Sequence, residues 1–213
     1  MRYLHYLGTL TTVTPEETRA VYERACNIHL RDKIKLHLSW ATFEEENDDV
    51  PRALELLSEI QKRLPEALEP HLQAVAVERR RGNLQEAEEL FLSSLAVFKD
   101  SEKLTLAYVN MIVRYARFIS LFRGEHNKAV DYIQAAIEEN TPATKPTESD
   151  QKCLEILLWA VIERAMACVP PQFDVAAQAL SSGASDKYSP RTRLLFANRY
   201  NQFVAECGPP GTS

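Results

Sequence analysis

The sequence predicts an all-α fold, a right-handed α-solenoid of stacked helical hairpins. Three observations carry that expectation: a side-chain pattern that returns after 34 residues, a composition poor in glycine and rich in helix formers, and cap and stop signals at helix-length intervals. The pattern starts at Trp40, Phe43 and Glu44 and continues at Ala53 and Leu57. Spacings of three and four place each group on one face of a helix, and the short gap between the groups makes the two helices a hairpin. Thirty-four residues on stand Ala74, Val77, Glu78, Ala87 and Phe91 in the same register. A third copy has Tyr115, Ala116, Phe118, Ala129, Ile133 and Ala136, and a fourth has Trp159 to Glu163, then Ala176 and Ala177. Tyr3 and Tyr6 repeat the aromatic spacing upstream, with Tyr22 and Ala25 at the positions of Leu57 and Ile60, and Tyr200 and Phe203 repeat it downstream. A period of 34 to about 42 residues means units that each bury a face against the next.

Element by element, residues 1 to 9 read as the end of a helix whose beginning is missing. Thr14, Pro15 and Glu17 form a cap, first-turn proline and capping box, starting a helix that runs to His29. Helices follow at 33–47 and 51–64, with Pro51 near a start and Pro65 at a stop. The next pair, 66–81 and 84–99, is divided by Gly82 and opened by the capping sequence Asn83 to Glu86. A long helix over 100–122 is apolar at Leu104, Tyr108, Met111, Ile112, Tyr115, Phe118 and Ile119, and Gly124 separates it from a return helix over 127–139. Thr141 to Ser149, rich in Pro and Thr, reads as a loop. The helix over 150–169 is apolar on most sides, so it is expected to be covered on most sides. Pro170-Pro171 ends it, a short helix spans 173–180, and Ser189-Pro190 opens the last, 190–206. As domains, the expectation is a partial repeat at 1–30, three repeats at 31–140, a mobile loop at 141–150, C-terminal repeats with a dimerisation region at 151–207, and a disordered tail at 208–213.

Composition narrows the function. At 213 residues and 45% hydrophobic content the chain can bury a sizeable core, and six glycines are few for a sheet protein or a phosphate-loop enzyme. The net charge of −5 gives no global basic field for a polyanion. Cys26, Cys153, Cys168 and Cys207 lie far apart, without metal-ligand or redox spacing, and read as thiols in a reducing compartment. No apolar run reaches the length of a membrane span, and the N-terminus lacks a signal-peptide h-region; cytosol or nucleus is expected, with no membrane partner. No nucleophile elbow, Walker loop, dinucleotide fingerprint or zinc motif is present. The chain is therefore expected to have no catalytic residues, no cofactor and no metal.

Several residues invite sharper readings. The aromatics Trp40, Phe43, Tyr115, Phe118 and Trp159 suit ligand stacking, but at repeat positions they read as core. Glu44, Glu78 and Glu163 recur at one position, which points to the same inter-helix hydrogen bond made several times rather than to an acid/base pair. Arg79, Arg80 and Arg81 suit an RNA phosphate contact or an import signal; in a last helical turn they also complement the negative helix end. The final helix, apolar at Leu194, Leu195, Phe196, Tyr200 and Phe203, lacks a following helix to cover it. Either it folds back on Leu157 and its neighbours, or a second chain covers it through Leu195, Phe196, Tyr200 and Phe203.

The segments Arg19 to Ala25, Leu38 to Glu45 and Glu78 to Glu88 resemble the half-a-TPR, or HAT, repeat of RNA-processing scaffolds. More narrowly, they are similar to the C-terminal repeats of a splicing-factor family associated with the U1 small nuclear ribonucleoprotein. The likeness is sharpest over residues 15–92. It implies a nuclear, non-enzymatic scaffold whose C-terminal repeats form a homodimer and whose partners are U1 snRNP proteins, with RNA contact secondary. An RNA-binding HAT array and a TPR-like adaptor holding a peptide in its groove are the alternatives.

Overall fold

The structure is a computed structural model that describes residues 14–99, 104–142 and 146–207. These residues form ten helices and no strand, in two compact units that divide between Val97 and Phe98.

In the first unit, α1 (Pro15–Arg24) opens on the expected capping box: Thr14 accepts from the Glu17 backbone and Glu17 accepts from that of Thr14. It widens into a π turn over Ala25–His29, where the Leu30 amide donates to Ala25 O at 2.8 Å. Then come α2 (Ile34–Glu46), α3 (Val50–Arg63), α4 (Leu68–Arg80) and α5 (Leu84–Phe98). Between α2 and α3 the chain reverses at Asp48, which sits in the left-handed region at φ 64°. Asp49 then caps α3 by accepting from the Arg52 amide. Gly82, at φ 82°, turns the chain between α4 and α5.

Helix α2 packs on α1, α3 and α4, so each hairpin is covered by the next. Ala41 and Ala53, both 0% exposed, let the helices approach closely while Trp40, Leu56 and Leu57 fill the space between. The second hairpin repeats the plan with Ala74, Val77, Ala87 and Phe91, all buried. Hydrogen bonds also cross between α2 and α4: Gln73 Nε2 donates to Leu38 O at 3.0 Å and to Thr42 Oγ1 at 2.9 Å.

The second unit holds α6 (Leu106–Phe122), α7 (His126–Asn140), α8 (Glu148–Met166), α9 (Phe173–Gly183) and α10 (Pro190–Cys207). Here α6 starts later than the pattern suggests, because Thr105 accepts from the Tyr108 amide and fixes the helix start. Leu104 is nonetheless buried outside the helix. Conversely, α8 starts earlier than 150, since Thr147 and Asp150 form a capping box. Residues 148–150 of the expected loop are thus helical. Residues 143–145 of that loop lie outside the described residues, as do 1–13, 100–103 and the tail at 208–213. Tyr115, Phe118, Ala129, Ile133, Leu154, Leu157 and Val161 make the core between α6, α7 and α8.

Candidate interaction surfaces

Helix α10 folds back onto its own unit, packing against α9. Phe196 is fully buried: its ring stacks on Trp159 at 4.7 Å between centroids, with Tyr188 at 6.5 Å. Gly183 makes room for it, since a Cβ at that position would collide with the Phe196 ring. Phe203 is 9% exposed and lies beside Phe173, ring centroids 6.2 Å apart. The expectation that Phe196 and Phe203 pair with a second copy is therefore corrected, because both are core of this chain. Tyr200 is half-buried.

What α10 presents outward is mostly polar. Arg199 donates to Gln202, and Gln202 to Glu206, along an exposed row. The apolar exception is Leu194 with Leu195, which are 63% and 50% exposed. Sequence reasoning named Leu195 but left Leu194 out of the pairing set.

The arginine run separates into individual roles. Arg80 forms a two-pronged pair with Glu45 of α2, at 2.7 Å on each arm, tying one hairpin to the next. Arg81 NH1 lies 3.3 Å from both Glu78 oxygens. Arg79 is half-buried. Arg80 and Arg81 are thus engaged with carboxylates, which leaves them less suited to a phosphate than the run implied.

The recurring glutamates do not make one repeated bond, contrary to expectation. Glu44, fully buried, accepts from Trp40 Nε1 at 2.8 Å and from Arg19 at 2.6–3.1 Å. Burial raises its pKa, but the Arg19 and Trp40 hydrogen bonds outweigh burial and hold the carboxyl below its ordinary value. Arg52 lies over the Trp40 ring at 5.4 Å. Glu78 instead takes Asn83 Nδ2 at 2.7 Å together with Arg81. Glu163 is half-exposed and bridges to Arg117 of α6 at 2.9 Å and to Arg164. The backbone position repeats, but the neighbours that finish each bond come from loop and helix positions that do not.

Burial shapes the other titratable groups of the described residues. His37 is buried against Arg31 O at 2.8 Å, and His71 against Ser94 Oγ at 3.0 Å; burial lowers both pKa values. The buried Cys26 thiol is pushed up to about 11 by desolvation, away from nucleophilic character. Among the described residues no group of three or more His, Cys, Asp or Glu is placed to hold a metal ion.

Paired helices joined by short turns, packed through small residues in a 34-residue register, define an all-α helical-repeat fold. Residues 1–80 match the family described as the PRP39 C-terminal HAT repeat. Pre-mRNA-processing factor 39 of Xenopus laevis is 29% identical over 143 residues, 67% of this chain and 22% of that protein. The human protein of that name is 29% identical over the same length, 67% of this chain and 21% of the other. The Danio rerio protein is 34% identical over 65 residues, 30% of this chain and 8% of the other. The chain spans about a fifth of the length of the first two relatives. Among solved structures, a thermophilic TPR protein of Thermus thermophilus superposes with TM-score 0.45 and 17% identity, covering 96% of this chain and 95% of that one. Over these stretches the chain resembles the C-terminal HAT repeats of pre-mRNA-processing factor 39.

Proposed function

We propose that this chain is a nuclear, non-enzymatic scaffold of pre-mRNA splicing, whose HAT hairpins hold protein partners at or near the U1 snRNP and whose C-terminal repeats self-associate. The observation that carries the proposal is the 80-residue match to the PRP39 C-terminal repeat, joined to relatives named as pre-mRNA-processing factors over two thirds of the chain. Within the C-terminal repeats, Leu194 and Leu195 are the apolar side chains of α10 that remain open to a second copy, with Tyr200 at the margin. RNA contact through Arg79, Arg80 and Arg81 is the weaker reading, given the ion pairs of Arg80 and Arg81.

Affinity purification of the tagged chain from nuclear extract tests the role. U1 snRNP proteins are expected to co-purify and to survive ribonuclease treatment once the particle has been captured through protein contacts. Recovery of no U1 component would overturn the scaffold assignment.

A further inference from the structure

The two inter-hairpin grooves of the first unit are built on one plan, yet one is full and the other is open. In the first groove the buried carboxylate of Glu44 is surrounded by Trp40, by Arg19 from α1, and by Arg52 from α3 lying over the indole. Thirty-four residues on, Trp40 becomes Ala74, Glu44 becomes Glu78 and Arg52 becomes Glu86. In the register that equates Tyr22 with Leu57, Arg19 becomes Leu54. An indole and two guanidinium groups are thus replaced by a methyl group, an isobutyl group and a carboxylate. The space they leave is a cavity of about 490 Å³ between α3, α4 and α5, with Leu54, Ala74, Glu78, Glu86, Glu89 and Leu90 in its wall. That volume lies within the roughly 300–1,000 Å³ of ligand clefts.

We propose that this groove binds an arginine side chain presented by a partner protein, the guanidinium seating on Glu78 between Glu86 and Glu89 and its methylene stem lying on Leu54, Ala74 and Leu90. Glu78 is 6% exposed, so it offers a carboxylate in low-dielectric surroundings, where a charge-assisted pair is strongest. Arg81, 3.3 Å from both Glu78 oxygens, neutralises part of that charge from the turn, and Asn83 Nδ2 donates to one of the oxygens at 2.7 Å. The incoming guanidinium therefore shares this carboxylate and draws on Glu86 and Glu89 beside it. Two further carboxylates remain in the wall, and among the described residues that line the cavity none is basic. The second and independent indication is the chain's own example. At the equivalent place in the preceding groove, a guanidinium from a neighbouring helix already sits on the equivalent glutamate, meeting both oxygens at 2.6–3.1 Å. Arginine suits such a site better than lysine because its planar fork meets a carboxylate with two hydrogen bonds and lies flat on apolar surface. The inference rests on this groove alone and does not depend on the splicing role.

The test is titration of the ¹⁵N-labelled full chain with acetyl-Gly-Arg-Gly-Gly-amide, against the same peptide with citrulline, which keeps the shape and loses the charge. Backbone shifts centred on Leu54, Ala74, Glu78 and Leu90 are expected with arginine and absent with citrulline. Leu54→Arg restores the arrangement of the first groove and fills the cavity from within, so it is expected to raise the peptide Kd at least tenfold. The double variant Glu86→Gln plus Glu89→Gln removes charge at exposed positions without filling space, and is expected to raise Kd at least threefold. Equal shifts with both peptides, shifts centred elsewhere, or no shifts at millimolar arginine peptide would overturn the proposal. Unchanged affinity in Leu54→Arg would do the same. Should Leu54→Arg fail to fold, the glutamine pair decides, and unchanged affinity there sinks the site.

Discussion

At the scale of single residues, the first unit is pinned by a buried carboxylate whose hydrogen-bond partners come from two helices, with a third helix reaching the Trp40 indole. Glu44 belongs to α2, accepts from Trp40 one turn back, and receives Arg19 from α1, while Arg52 of α3 lies over the same indole. Removing its charge leaves the inward arm of Arg19 and the Trp40 N–H with a weaker acceptor. Because Arg19 keeps access to solvent, we expect Glu44→Gln to cost about 2 kcal/mol rather than the larger penalty of a sealed ion pair, as measured by urea unfolding. The buried histidines give stability a pH dependence of known sign. Burial holds the folded pKa values of His37 and His71 below the ordinary 6.5, so below that pH the unfolded chain binds protons that the folded chain refuses. Stability present at pH 7.5 is lost as pH falls through 6.5 toward the folded pKa values. Glu44, also lowered, adds its loss only below its ordinary 4.5. Urea midpoints at pH 7.5 and 5.5 should show the decline, and His71→Gln should flatten it.

Two glycines show how elements are joined by different physics. Gly82 sits at φ 82°, and a methyl group added there would meet nothing within 4 Å, so Gly82→Ala meets only backbone strain, about 1 kcal/mol. Gly183 has ordinary helical backbone, but an added methyl would overlap Phe196 and drive the ring off Trp159. Gly183→Ala is expected to cost about 2 kcal/mol through overpacking. Thermal melts of both variants should show these losses, and near-ultraviolet circular dichroism should separate them: the tryptophan signal at Trp159 changes in Gly183→Ala and not in Gly82→Ala. Only the first of these glycines could be assigned a role from sequence, since Gly82 follows a run of helix-forming residues as a stop signal. Gly183 follows two serines in a short helix, and its function is set by a ring thirteen positions away in another helix.

At the scale of the whole molecule, the question is what α10 leaves for another chain. With Phe196 and Phe203 turned inward, the proposed self-association rests on Leu194 and Leu195. Light scattering over a hundredfold concentration range is expected to give a mass near twice 24.2 kDa for the parent chain and the monomer mass for Leu194→Glu plus Leu195→Glu, with helicity unchanged. A constant monomer mass for the parent would remove self-association from the proposed function. Tyr200→Glu plus Phe203→Glu should instead lower the melting temperature, because Phe203 packs beside Phe173.

The all-α class, the hairpin plan and most helix boundaries followed from the sequence itself. Helical periodicity, caps such as Thr14 with Glu17, and a stop such as Gly82 act between residues a few positions apart, and their physics is local. The repeat register also fixed which faces turn inward, since stacked copies bury equivalent positions such as Ala53 and Ala87. Only the tertiary structure decided that Phe196 is sealed beneath Trp159, that Arg80 belongs to Glu45, and that Glu44 is filled in while Glu78 faces an open groove. Each of those outcomes depends on which side chain arrives from a different helix, and a repeating pattern specifies the position of a residue without specifying its neighbour.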